Sequence, residues 1–234
     1  LELVITDHHR FGQTLPAADV LVHPGLPGSS YPFTGLCGAG VAFKLAWALC
    51  KRASDARKVS QAMREFLLMA MGVAAIGTVA DVVPLLDENR IIVRHGLISL
   101  REHPPLGLQA LMKRAGLDQK SALDAEDIGF MIGPRLNAAG RLGQAELGVE
   151  LLTTDNPQRA EDLAEYLEEL NESRKKLERS IYLAAKKQIK EDFDAENDDA
   201  FVLAGRGWHR GVIGVVAGRI AEKYQRPTIV ISQD

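Results

Sequence analysis

Asp7, His8 and His9 follow directly on the run Leu3-Val4-Ile5-Thr6. One carboxylate and two imidazoles in succession offer the oxygen and nitrogen donors that a divalent cation takes. Branched residues favour a strand, and in open α/β sheets ligands gather beyond the carboxyl ends of strands. The same side chains also cap, pack and hydrogen-bond, so the tripeptide alone leaves both readings open. A second carboxylate, Asp81, ends the small apolar run from Val73 to Ala80, in surroundings that read as similar to those of Asp7. It would serve equally well as a helix or turn cap, and spacing does not decide.

Two further stretches carry chemistry. Gly133-Pro134-Arg135-Leu136-Asn137-Ala138-Ala139-Gly140-Arg141 sets two arginines and an asparagine among small residues. Arginine forks bind phosphate bidentately and glycines allow close approach; a surface loop with ordinary arginines is the plainer alternative. Gly207-Trp208-His209-Arg210-Gly211-Val212-Ile213-Gly214 reads as a glycine-rich turn into a helix. It offers N–H groups at a helix start, an imidazole and an indole, which suit an anion and a stacked base. Trp208 as a core anchor is an equal reading.

These four motifs, Asp7-His8-His9, Gly77-Thr78-Val79-Ala80-Asp81, Gly133 to Arg141 and Gly207 to Gly214, resemble in order those of the DHH phosphoesterase superfamily. The likeness is closest to the RecJ single-strand-specific exonucleases. It implies an α/β fold: a partial parallel-sheet DHH domain over 1–153, a long connecting helix over 154–194, and the start of a DHH-associated (DHHA1-type) α/β domain over 195–234. It implies a metal-dependent exonuclease that hydrolyses single-stranded DNA from the 5′ end in DNA repair and recombination. His8 and Asp81 would ligate Mn²⁺ or Mg²⁺ in a two-metal site, Asp7 would support them, and His9 would contact the scissile phosphate or the groups that surround the ligands. Arg135, Asn137 and Arg141 would hold nucleic-acid phosphates, and Gly207, Trp208 and His209 would help build the facing wall of a cleft. Single-stranded DNA is the implied partner, with a single-strand-binding protein or a helicase as candidate protein partners, in the bacterial cytoplasm. Relatives in the superfamily act on short oligonucleotides or cyclic dinucleotides, and a non-catalytic replication scaffold is a third class. Intact His8, His9 and Asp81 speak against the scaffold.

Composition is that of an ordinary globular protein: 234 residues, 46% hydrophobic and 25% charged, with a formal net charge of −3. No global basic field marks a nucleic-acid binder, though a local groove would suffice. Cys37 and Cys50 do not make a disulfide framework. The nearly uncharged run from Phe66 to Ala80 reads as too short for a bilayer, and no membrane partner is expected. The chain opens at Leu1 inside a strand and stops at Asp234 after an apolar run. Both ends read as cuts through a larger protein, and the family's further metal-binding aspartates, from strands before the Asp-His-His, are not in the sequence. Catalytic competence of the isolated chain is therefore in question, and an exposed sheet edge would favour aggregation.

The elements that must position these residues can be placed. Residues 11–35 read as loop, with His23 a solvated residue within it. Gly35 to Gly40 opens a helix. Helices are expected over 60–71, 88–101 and 108–115, and a capped short one from Asp124 to about Ile132. His95, on a mixed face, reads as packed or surface rather than as a ligand. Asn156-Pro157 reads as N-cap and first residue of a helix reaching about Phe193, on the order of 50 Å at 1.5 Å per residue. Six acidic residues in 161–172 precede seven basic ones in 174–190, an order that suits the helix dipole; a solvated face is preferred for them over a nucleic-acid track. Strand, helix and strand over 200–232 predict a parallel crossover.

Overall fold

The computed structural model describes residues 2–54 and 58–233. Contacts divide the chain into two units, residues 1–134 with 152–161, and residues 135–151 with 162–234.

In the first unit, β1 (Val4–Thr6) pairs in parallel with β2 (Val20–Val22), Val4 opposite Val20 and Thr6 opposite Val22. β2 lies inside the stretch expected to be loop. Its three branched or aliphatic residues sit between proline- and glycine-rich segments, too short a run to show alternation. Three helices follow: α1 (Gly38–Ala53), α2 (Gln61–Ala80) and α3 (Asp87–Glu102). Ser60 caps α2, its Oγ accepting the Met63 N–H at 3.3 Å.

Glycines set how closely these helices cross. A Cβ on Gly77 would collide with Ala39 Cβ, and one on Gly96 with Ala75 Cβ and the Met71 carbonyl. Absent side chains therefore bring α2 against α1 on one side and α3 on the other. Leu36, Val41, Phe43, Leu67, Ala74 and Ile92 form the core around them. α2 is one continuous helix of 20 residues, longer than the uncharged run suggested. By length and composition it could cross a bilayer; in this fold α1 and α3 cover it.

α4 (Leu106–Arg114) is followed by a reciprocal cap. The Asp127 N–H donates to Asp124 Oδ1 (3.0 Å), and the Asp124 N–H to Asp127 Oδ2 (2.9 Å). The π-helical turn Asp127–Ile132 then runs without a break into α5 (Gly133–Arg141). Its Gly129 meets Val79 of α2, the Cβ position lying 3.8 Å from Val79 Cγ1.

The second unit takes α5 from Arg135, most of α6 (Ala145–Thr153) and α7 (Pro157–Asp192) from Asp162. β3 (Phe201–Arg206) and β4 (Thr228–Gln233) pair in parallel around α8 (Arg210–Tyr224), the expected crossover. Ile181, Ala185 and Ile189 of α7 pack with Phe201, Leu203, Val212, Val216 and Ile220. The ion pairs along the basic part of α7 are local: Lys175 with Glu172 (2.8 Å) is exposed, whereas Arg174 with Glu178 (2.9 Å) is largely shielded from solvent.

Candidate metal and phosphate sites

The first site is built at the end of β1. Asp7 Oδ1 accepts the N–H of His8 (2.7 Å), the N–H of His9 (3.2 Å) and His9 Nδ1 (2.8 Å). An ionised carboxylate only accepts, so the proton of His9 sits on Nδ1 and its Nε2 lone pair faces outward. These bonds, led by that from the His9 side chain, pull the Asp7 carboxyl down to about 2. Ligand atoms of Asp7, His8 and His9 lie within 4.8 Å of one another.

Asp81 arrives from another direction. It caps the C-terminus of α2, its N–H donating to the Gly77 carbonyl at 3.0 Å. Its surroundings therefore differ from the strand end that holds Asp7. Its Oδ2 lies 3.6 Å from His8 Nε2, too far for a hydrogen bond. Two ligands of one ion, each bound at about 2.1 Å, stand about 3–3.6 Å apart. The C-terminus of a helix carries partial negative charge, and the last turn of α2 holds no basic residue. A carboxylate placed there is unfavourable unless a cation joins it, so the donor set fits a divalent ion.

Several contacts fix the two halves. His8 packs on the start of α1, the Gly38 Cβ position being 3.4 Å from His8 Cδ2. The Gly77–Ala39 crossing lies one turn before Asp81. Immediately beyond Asp81, Val82 has φ 57° and is 86% exposed. A branched residue in that region is strained by about 1–3 kcal/mol, a cost that concentrates at functional loops. Buried Asn89 then ties the loop down, its Nδ2 donating to the carbonyls of Pro84 (2.9 Å) and Gly35 (2.7 Å). Neither Asn89 nor Val82 stands out in the sequence.

The second unit holds the other candidates. Arg135, Asn137 and Arg141 lie on the helix α5 rather than in the surface loop of the plainer alternative. Arg135 is buried, and its guanidinium meets Glu168 of α7 through Nε (2.5 Å) and Nη2 (3.2 Å). Its fork is thus given to a protein carboxylate. Asn137 and Arg141 are exposed. Arg141 Nη1 donates to the Gly211 carbonyl (3.3 Å), and a Cβ on Gly211 would strike the Arg141 carbonyl. The end of α5 thereby meets the start of α8, bringing the arginine motif beside the glycine-rich turn.

In that turn Gly207 adopts φ 69°, a left-handed conformation natural to glycine. The Trp208 ring covers Gly205, where a Cβ would collide with it, and packs against the β3–α8 core. Its indole is half-buried, so packing takes much of the face that stacking on a base would use. His209 caps α8, its Nδ1 accepting the Gly211 N–H at 3.1 Å. That places its proton on Nε2, a hydrogen-bond donor. His95 is exposed on α3, as a surface histidine.

Comparison with known proteins adds to this geometry. No protein-family model matches the chain. The single-stranded-DNA-specific exonuclease RecJ of Bacillus subtilis is 41% identical over 234 residues, covering all of this chain and 28% of that protein. RecJ of Escherichia coli is 38% identical over 240 residues, covering 99% of this chain and 41% of its own length. The whole chain is homologous to a segment of RecJ. The crystal structure of RecJ from Thermus thermophilus in complex with Mn²⁺ superposes with a TM-score of 0.84 at 36% identity, over 100% of this chain and 33% of that one. A second structure, exonuclease RecJ bound to manganese, gives a TM-score of 0.82 at 36% identity, over 99% of this chain and 55% of that one. The expected RecJ-like α/β fold is therefore correct, and the chain spans well under half the length of the two curated relatives.

Proposed function

We propose that this chain is the part of a RecJ-type exonuclease that supplies His8 and Asp81 to a Mn²⁺ or Mg²⁺ site, and that the whole protein hydrolyses single-stranded DNA from its 5′ end. The observation that carries the reading is the approach of His8 Nε2 to Asp81 Oδ2, 3.6 Å apart on separate elements, beside the ionised Asp7. Relatives named as single-stranded-DNA-specific exonucleases support it.

A divalent ion at such a site lowers the pKa of bound water and stabilises charge developing on phosphate. The chain's own residues do the rest. His8 and Asp81 hold the ion. Asp7 locks the turn and fixes the His9 proton on Nδ1, which leaves the His9 Nε2 lone pair as a hydrogen-bond acceptor beside the scissile phosphate. In the second unit, Arg141, Asn137 and the Nε2–H of His209 take DNA phosphates. Arg135 contributes by holding α5 to α7. The functional division is a DHH domain to residue 153, a connecting helix over 154–194 and a DHH-associated domain from 195, in a protein of the bacterial cytoplasm. A single-strand-binding protein or a helicase would be its protein partner.

The test is degradation of 5′- and 3′-labelled single-stranded DNA with Mn²⁺ by the purified whole protein. Mononucleotide release from the 5′ end, abolished by His8→Ala and by Asp81→Ala, is expected. Long strands left intact while dinucleotides are hydrolysed would overturn the reading in favour of a small-nucleotide phosphodiesterase.

A further inference from the structure

We infer that His23 is a positioning residue for the metal site, acting through the His9 carbonyl; the inference rests on the metal-dependent reading above. His23 directly follows β2, and the β1–β2 pairing carries it alongside the Asp7–His9 turn. Its Nδ1 accepts the Gly25 N–H at 2.9 Å, so the ring proton is on Nε2. That Nε2 donates to the His9 carbonyl at 2.9 Å. The ring is held against Phe11, centroids 4.2 Å apart. Each ring nitrogen thus has one defined job, and the tautomer follows from geometry.

The consequence is a turn gripped at both ends. The Asp7 N–H donates to the Val22 carbonyl at 3.2 Å, which fixes where the turn begins. His23 fixes where it ends, and His8 lies between. The space flanked by Asp7, His9, Phe11 and His23 is a cavity of about 190 Å³. Close packing does not support the turn on that side, so its conformation depends on these hydrogen bonds. Partners that orient a metal ligand from behind typically contribute about 10–100-fold in metal affinity. The pattern His-x-Gly recurs at His209, whose Nδ1 likewise accepts from the glycine two residues on. There the ring caps a helix; at His23 the same local device frees Nε2–H to hold another segment.

Two variants of the purified whole protein test this. His23→Phe keeps a ring against Phe11 and removes both nitrogens; His23→Gln returns an amide N–H close to the position of Nε2. The measurements are amide hydrogen exchange at His8 and His9 without metal, Mn²⁺ affinity by calorimetry, and kcat and KM on single-stranded DNA. For His23→Phe we expect faster exchange at both amides and Mn²⁺ affinity lower by about tenfold or more. kcat should fall while KM for DNA holds, and His23→Gln should recover most of each loss. His23→Phe matching the wild type in exchange and Mn²⁺ affinity overturns the proposal and leaves the metal reading standing. A wild type that takes up no Mn²⁺ overturns the metal reading, and with it the purpose assigned to His23.

Discussion

Gly77→Ala isolates the link between helix packing and the metal site. The added methyl group would sit inside the contact distance of Ala39 Cβ, a short rigid group that cannot swing away. Restoring ordinary contact requires α1 and α2 to separate by on the order of 1 Å. Overpacking of this kind costs about 1–3 kcal/mol, and the better helix propensity of alanine returns about 1 kcal/mol. The net loss of stability is therefore small, about 1 kcal/mol. The functional loss is larger, because Asp81 rides on the last turn of α2 and His8 packs on the first turn of α1. A misplacement of about 1 Å can cost about 100-fold in a catalytic constellation. Denaturant unfolding and Mn²⁺ calorimetry on the same protein separate the two effects. Adding Ala39→Gly restores the room at the crossing and should recover Mn²⁺ affinity, a coupling that a double-mutant cycle reads directly. A Gly77→Ala protein that is more stable than wild type and binds Mn²⁺ equally well would refute the argument that this crossing sets the site.

Three other outcomes are expected. Asp81→Asn should abolish Mn²⁺ binding yet leave the metal-free melting temperature unchanged or raised, because a negative charge leaves the negative end of α2; a lowered melting temperature would count against the cation-site reading. In metal-free protein, Asp7 should remain ionised down to about pH 2, followed by NMR of its carboxyl carbon. Its folded pKa is depressed, so its contribution to the turn is complete above the ordinary value of 3.8 and is lost as pH falls through about 2. Glu168→Ala should destabilise the protein by about 2 kcal/mol by removing the carboxylate that Arg135 Nε and Nη2 contact, measured by denaturant unfolding, with a destabilisation below about 1 kcal/mol showing that the pair contributes no more than a surface one.

How much of this is readable from residue order depends on the range of the interaction concerned. The Asn156-Pro157 start of α7 and the strand–helix–strand at the end are legible because caps and periodicity are local. β2 is not: three residues show no alternation, and it becomes a strand only through its partner β1. The arginine motif looks like a loop because of its glycines. Gly133 sits within close-packed helix, the Cβ position 3.7 Å from Ala80 Cβ, so tertiary contact overrides its low helix propensity. Asp7-His8-His9 is visible as a ligand set, but its meeting with Asp81 depends on the Gly77–Ala39 crossing, which no spacing announces. Arg135 and Trp208 attract notice for chemistry their types allow; Glu168 and Gly205 occupy them instead. His23 is hidden among prolines, although the His-x-Gly spacing it shares with His209 is there to be seen.

The interleaving of the two units has a consequence for how the chain is born. Residues 152–161 complete the first unit, yet they follow residues 135–151, which pack with the second. During synthesis the segment with β1, β2 and α1–α4 must therefore wait until seventeen residues belonging elsewhere have emerged before its last piece can join it. Vectorial folding, which normally lets an N-terminal domain finish first, is interrupted here. A chain released at residue 134 would hold both His8 and Asp81 and still lack part of the unit that carries them.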